Sequence, residues 1–221
     1  MSPCPGRWRG RGGRVAGVTL ALLTGLVVAF FGYASEPRLD LLAPTLLGNL
    51  REIDPGRFYR SGQLSGAQLR RTIEVLGIRT IINLRGHSTD HEWYRAEAAV
   101  AAEKGVALHS VHLSSRGLPH RDELAALLDL YRSAERPILV HCDSGADRAG
   151  EAAAIYEIEY MGKSREEALE MLTLHYRHLS WWRPAKRYFL ERYRGEDWLR
   201  NVYDPCLDEY EYYDKARYCG G

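Results

Sequence analysis

The sequence predicts an α/β domain with a central, mostly parallel sheet flanked by helices, preceded by one membrane-spanning helix. Three observations carry this expectation. Strand-like and helix-like segments alternate from residue 51 onward, the strand-like segments are short and β-branched, and a charge-free apolar run lies near the amino terminus. With 45% apolar and 27% charged residues in 221, the chain can bury one core and carry appendages, which excludes a disordered or fibrous protein. Lys and Arg (30) nearly balance Asp and Glu (29), so no global basic field marks a nucleic-acid partner.

The balance is a sum of local imbalances. Residues 1–14 hold Arg7, Arg9, Arg11 and Arg14 and no acidic residue, a basic cytoplasmic flank. Residues 15–33 (VAGVTLALLTGLVVAFFGY) form a charge-free run close to the roughly 20 residues that span a bilayer as a helix. It reads as a transmembrane anchor or a cleaved secretory signal, with Gly32 and Ala34 as small residues at a cleavage site. Either way the positive-inside tendency places the body beyond it on the periplasmic, extracytoplasmic side.

Residues 35–50, with Pro37 and Pro44, read as a linker, and residues 51–200 as the α/β body. Arg57 to Arg60 is a short strand. Ser65 to Leu76 is a helix with Ser65 as its cap and Leu69, Ile73 and Leu76 on one face. Arg79 to Leu84 is a core strand, and Thr89 to Lys104 an Ala/Glu-rich helix ended by Gly105. Ala107 to Leu113 alternates as a strand, residues 114–121 form a loop, and Asp122 to Ser133 repeats leucine as a helix. Pro137 to His141 is a buried strand. Helices follow over Gly150 to Tyr160, over Ser164 to Tyr176 with Ser164 and Glu167 in capping-box spacing, and from Pro184 to Gly195. In the last, Trp182, Ala185, Phe189 and Tyr193 line one side, while Arg183, Lys186, Arg187 and Arg194 form a basic face that is either solvated or turned to anionic lipid. Residues 201–221 are an acidic, Tyr-rich tail with little core of its own, which a Cys206–Cys219 disulfide can close.

The chemistry lies in His141-Cys142-Asp143-Ser144-Gly145-Ala146-Asp147-Arg148, between the buried strand and the next helix. A cysteine ending a strand, followed by a tight turn into a helix, lets successive backbone N–H groups converge on one anion. Gly145 permits that backbone, and Arg148 offers a planar fork to phosphoryl oxygens. The positive surroundings favour the thiolate, so Cys142 becomes a nucleophile toward phosphorus and forms a phosphocysteine that water hydrolyses. The chemistry calls for no metal and no cofactor.

These residues resemble the His-Cys-x5-Arg signature of the protein tyrosine phosphatase superfamily. Phe58-Tyr-Arg-Ser-Gly-Gln63 and Ile78-Arg-Thr-Ile-Ile-Asn-Leu-Arg85 look like its atypical dual-specificity branch, so that the resemblance covers roughly residues 55 to 180. It implies a single dual-specificity-phosphatase-like domain over residues 51–200. It also implies Cys142 as nucleophile, Arg148 as phosphate clamp, His141 as the residue that positions the loop, and the segment Asp143, Ser144, Gly145 and Ala146 as the phosphate cradle.

Two residues depart from the family pattern. Ala149 stands where a hydroxyl residue usually helps the thiolate leave, which implies slow hydrolysis of the phosphocysteine. Positions 107–117 hold no aspartate to act as the upstream acid. The pattern Cys-x-x-Gly-x-Asp-Arg resembles myotubularin-type lipid phosphatases, which makes Asp147 the general acid: beside a phosphate dianion, like charge keeps a carboxyl protonated. The alternative is that Asp147 pairs with a neighbouring arginine or caps the helix, leaving His112, His120 or Asp122 as the acid. His87 and His91, four apart, are read as solvating a helix start rather than binding metal, and His175 and His178 as surface or groove residues.

The expectation is therefore a membrane-anchored, exported phosphomonoesterase acting on a phosphorylated lipid or glycolipid. A protein tyrosine or dual-specificity phosphatase acting on phosphoprotein, and a phosphate-binding adaptor without turnover, are the alternatives.

Overall fold

The computed structural model describes residues 48–220. The basic flank (1–14), the apolar run (15–33), Cys4 and the linker up to residue 47 lie outside them. Among the described residues no helix is long and apolar enough to cross a membrane.

Five four-residue strands form one sheet: β1 (Arg51–Asp54), β2 (Phe58–Ser61), β3 (Thr80–Asn83), β4 (Ala107–Ser110) and β5 (Ile138–His141). The spatial order is β1-β2-β5-β3-β4. All neighbours are parallel except the β1–β2 pair at one edge. Strand β1 was not foreseen; it returns antiparallel through a turn at Pro55-Gly56, which needs no crossover. The three inner strands are buried throughout, as expected when helices cover both faces of a parallel sheet.

Alternation along the inner strands assigns the two faces. Tyr59, Ile81 and Leu139 pack with Leu69, Ile73, Val100 and Ala101 of α1 (Gly66–Leu76) and α2 (Glu92–Lys104). Phe58, Ile82 and Val140 face the larger core of α3 (Arg121–Ser133) and α4 (Asp147–Met161). Punctuation behaves as the residue types dictate. Ser65 and Gln68 close a capping box on α1, and Gly77 and Gly105 end α1 and α2 at φ of 64° and 65°. Helix α2 begins at Glu92 rather than Thr89, because residues 88–91 form a turn in which His91 N–H bonds Ser88 O.

Larger differences come after Ser164. The expected single helix stops as α5 (Arg165–Ala168) and continues as 3-10 turns over Leu169–Leu172 and Leu174–Tyr176. Thr173 is extended, and the Met171 carbonyl turns to accept from buried Arg60 (3.2 Å), a bond that a continuing α-helix would have taken. Helix α6 (Pro184–Arg192) ends three residues early, and two helices not foreseen follow, α7 (Glu196–Asn201) and α8 (Lys215–Tyr218).

The two faces assigned to α6 also need correction. Trp182 precedes the helix and is 66% exposed, whereas Lys186 is fully buried and pairs with Glu151 of α4 at 2.8 Å. The tail is not coreless: Tyr203 and Tyr210 join the main core beside Trp198 and Leu199, and the Tyr203 hydroxyl donates to Pro119 O. The Cys206–Cys219 disulfide is formed, with Cα atoms 5.7 Å apart.

Candidate active site

The segment that the sequence singled out runs from the end of central strand β5 into α4, at the carboxyl edge of the parallel strands, where open α/β sheets bind ligands. It brings His141, Cys142, Asp143, Ser144, Gly145, Ala146, Asp147 and Arg148 into one loop. Cys142 is the free cysteine among the described residues, 2% exposed, with its N–H bonded to Ser61 O.

The loop is held from behind by residues that the sequence reading did not assign. Asn49 Nδ2 donates to Gly145 O (3.0 Å) and Ser144 O (3.5 Å), and Arg60 Nη2 donates to Gly145 O and Ala146 O (3.1 Å). With these carbonyls drawn outward, the trans peptides point the N–H groups of Gly145, Ala146 and Asp147 the opposite way, into the turn. Asn49 and Arg60 are both fully buried. Burial lowers the Arg60 pKa to about 10, against the attraction of Cys142, so the guanidinium stays charged and adds to the positive field at the thiol. Gly145 adopts φ 71°, and a Cβ there would stand 2.5 Å from Gly62 N, so both conformation and space require glycine.

Arg148 heads the first turn of α4. Its Nε is buried without a hydrogen-bond partner, and among the described residues its guanidinium is in no ion pair. A buried unpartnered donor is costly unless an anion completes it. Asp143 instead points outward, its side chain 67% exposed and its carboxylate 3.3 Å from Arg85. Arg85 lies over the Trp93 ring at 3.6 Å and bonds Gln63 Oε1. Its pKa is lowered, first by burial, with Asp143 opposing.

Beneath the nucleophile, His141 Nε2 lies 2.5 Å from Glu97 Oε1, both side chains being buried, and Asn83 Nδ2 donates to the other oxygen of Glu97 (3.3 Å). Glu97 was legible in principle, since it falls on the buried stripe of α2 with Tyr94, Val100 and Ala101.

Asp147 meets two partners: its Oδ1 lies 2.8 Å from His178 Nδ1 and its Oδ2 lies 3.6 Å from Arg183 Nε. The pairing with a neighbouring arginine is the alternative stated for this residue. His178, expected as a surface or groove residue, has its side chain fully buried against the loop. The reserve acids have other partners. His112 is 3.5 Å from Glu123, His120 contacts the Tyr213 hydroxyl, and Asp122 is exposed at the start of α3. His87 Nδ1 bonds the Tyr94 hydroxyl (2.6 Å), and Ala149 is fully buried.

The sequence model of a family described as "DSP-PTPase phosphatase fused to NAD+ Kinase" matches residues 48–180. Among solved structures, the chain is similar to P. aeruginosa TpbA, with 22% identity and a TM-score of 0.53 over 68% of this chain and 93% of that one. It is similar to the core catalytic domain of the PP-IP phosphatase SIW14 from S. cerevisiae, with 20% identity and a TM-score of 0.56 over 67% and 87%. PTPMT1 gives 18% identity and a TM-score of 0.51 over 65% and 94%. At these identities the likeness is one of fold. No curated protein sequence matches the chain.

Proposed function

The chain belongs to the DSP-PTPase phosphatases, and from that premise we propose that Cys142 hydrolyses phosphate monoesters of a lipid or glycolipid headgroup through a phosphocysteine. The observation that carries the chemistry is the unpartnered Nε of Arg148 beside a loop whose carbonyls are pinned outward. A phosphoryl group fits this arrangement: the N–H groups and the guanidinium take its three non-bridging oxygens, and the charge that develops at phosphorus meets donors already in place. The Cys142 sulfur attacks phosphorus, the P–O ester bond breaks, and the alcohol leaves with a proton. We assign that proton to Asp147, whose Oδ1 lies 2.8 Å from His178 Nδ1. Water then attacks phosphorus and gives its proton to Asp147, the S–P bond breaks to restore the Cys142 thiolate, and inorganic phosphate departs.

Two features support a substrate at a membrane surface. Trp181 and Trp182 are 77% and 66% exposed beside Arg183, which reaches the catalytic loop through Asp147, and a Trp–Arg rim of this kind suits a headgroup interface. The charge-free run of residues 15–33 supplies an anchor, and the Cys206–Cys219 disulfide accords with an extracytoplasmic domain.

The test uses the full-length protein. Vanadate-sensitive hydrolysis of p-nitrophenyl phosphate, abolished by Cys142→Ser, establishes the chemistry. A higher kcat/KM on phosphorylated lipid in vesicles than on phosphotyrosyl peptide supports the substrate class, and the reverse order assigns phosphoprotein instead.

A further inference from the structure

A second cationic site stands beside the catalytic loop. The segment between β4 and α3 and the disulfide-closed tail together enclose a cavity of about 440 Å³, within the range of small-ligand sites. His112, Arg116, His120, Tyr213, Arg217 and Tyr218 line it. Its walls are built rather than incidental. Leu118 N–H donates to Tyr212 O (3.0 Å), a Cβ on Gly117 would stand 2.8 Å from the same carbonyl, and Tyr212 holds φ 61° to present it. The His120 ring packs on Tyr218 with centroids 4.3 Å apart and contacts the Tyr213 hydroxyl.

The charges in this cavity are unbalanced. Among the described residues neither Arg116 nor Arg217 is in an ion pair, and the Arg217 guanidinium lies over the Tyr218 ring at 5.1 Å. Asp214, the carboxylate on the wall, caps α8 by accepting from Arg217 N–H at 3.1 Å and keeps its charge, and Glu123 lies 3.5 Å from His112, so the lining itself holds two guanidiniums against one carboxylate. Two free guanidiniums with two imidazoles and tyrosine hydroxyls make a set that selects a phosphate dianion.

Position links this cavity to the reaction. Its His112 edge packs against Gly86, and the preceding Arg85 pairs with Asp143 of the catalytic loop. Its Gly117 edge receives Lys186 Nζ (3.0 Å), whose partner Glu151 lies one turn along α4 from Asp147. Strand β4 ends two places from β5 in the same sheet, a lateral step of roughly 10 Å at ordinary strand spacing. The Tyr212–Tyr218 wall lies beyond the matched family region, which stops at residue 180.

We infer that this cavity binds a second phosphate of the substrate, so that the enzyme prefers bisphosphorylated polyols or headgroups. The inference rests on the phosphomonoesterase reading, and it is tested in two ways that fail separately.

Binding of inositol bisphosphate to full-length Cys142→Ser protein, measured by calorimetry, needs no turnover. Adding Arg116→Ala or Arg217→Ala is expected to weaken it about tenfold each, the size of one charge-assisted hydrogen bond; unchanged affinity overturns the inference. With the active enzyme, the ratio of kcat/KM for inositol bisphosphate to that for p-nitrophenyl phosphate is expected to fall at least tenfold in the double variant, through KM. Equal losses on both substrates overturn the inference. Absence of p-nitrophenyl phosphate turnover in the wild type refutes the phosphatase chemistry and leaves the binding result to stand alone. Running the same ratio with phosphatidylinositol phosphate in phosphatidylcholine vesicles distinguishes a lipid-borne headgroup from a free one: the arm with the larger fall identifies the source.

Discussion

His178 Nδ1 lies 2.8 Å from Asp147 Oδ1, so a fully buried imidazole reaches the first residue of α4 across thirty-one positions of sequence. On the proposed mechanism this pair gives and retakes the leaving group's proton. Asp147→Asn is expected to lower kcat on an alkyl phosphate by about 100-fold or more, with a much smaller loss on p-nitrophenyl phosphate, whose leaving group needs no proton. The fall of kcat at high pH should disappear in the same variant. If Asp122→Asn changes the profile and Asp147→Asn does not, the assignment is wrong.

The outward pinning of the Gly145 carbonyl is expected to matter as much as any group facing the substrate. Asn49→Ala removes a buried donor from carbonyls at 3.0 and 3.5 Å, at a cost of about 1–3 kcal/mol in stability. Gly145→Ala forces a Cβ into Gly62 and should abolish phosphate binding while far-ultraviolet circular dichroism stays unchanged. Vanadate affinity measured by calorimetry checks both variants, and an unaltered value in Gly145→Ala would refute the cradle.

The Lys186–Glu151 pair is fully buried, and burial holds the Glu151 pKa above its ordinary value, against the attraction of Lys186. Removing one partner should therefore be worse than removing both. Lys186→Met is expected to cost about 3–5 kcal/mol, and Lys186→Met with Glu151→Leu to recover most of it. In the single variant Glu151 must fold protonated, so stability is greatest below its unfolded pKa and falls as pH rises through the raised folded value. Urea titrations at several pH values test the sign.

Glu196 behaves oppositely. Hydrogen bonds from Arg132, then Arg200, hold its pKa below the ordinary 4.5. Its contribution is present above that pH and is lost as pH falls through the lowered folded value. The network is partly exposed, so Glu196→Gln should cost only about 0.5 kcal/mol at neutral pH, less at high salt, and flatten the acid limb of thermal stability.

What could be read in advance was what is written locally. Ser65 with Gln68, and Gly77 and Gly105 after apolar stripes, fix helix ends through contacts within a few residues. Cys142, Gly145 and Arg148 carry their geometry in their spacing. Asn49, Arg60 and His178 act across 96, 85 and 31 positions, respectively, and no periodicity records such a distance. The break of the expected helix after Ala168 is of the same kind: Arg60, from the second strand, claims the carbonyl that the helix would have used. Lys186 falls on the basic face expected to meet solvent or anionic lipid because charge is the usual mark of a surface, and only the depth of Glu151 on a neighbouring helix reverses that.

The position of β5 has a consequence for the lifetime of the nucleophile. The strand is hydrogen-bonded to β2 on one side and β3 on the other, and Cys142 continues it with a bond to Ser61. The anchored strand holds the sulfur at a fixed depth beneath the loop, so a small reagent reaches it by the route a phosphoryl group takes, and a bulky one needs the loop to open. Modification by a bulky thiol reagent should therefore follow local opening of the loop rather than global stability, and vanadate should protect the sulfur from a small one.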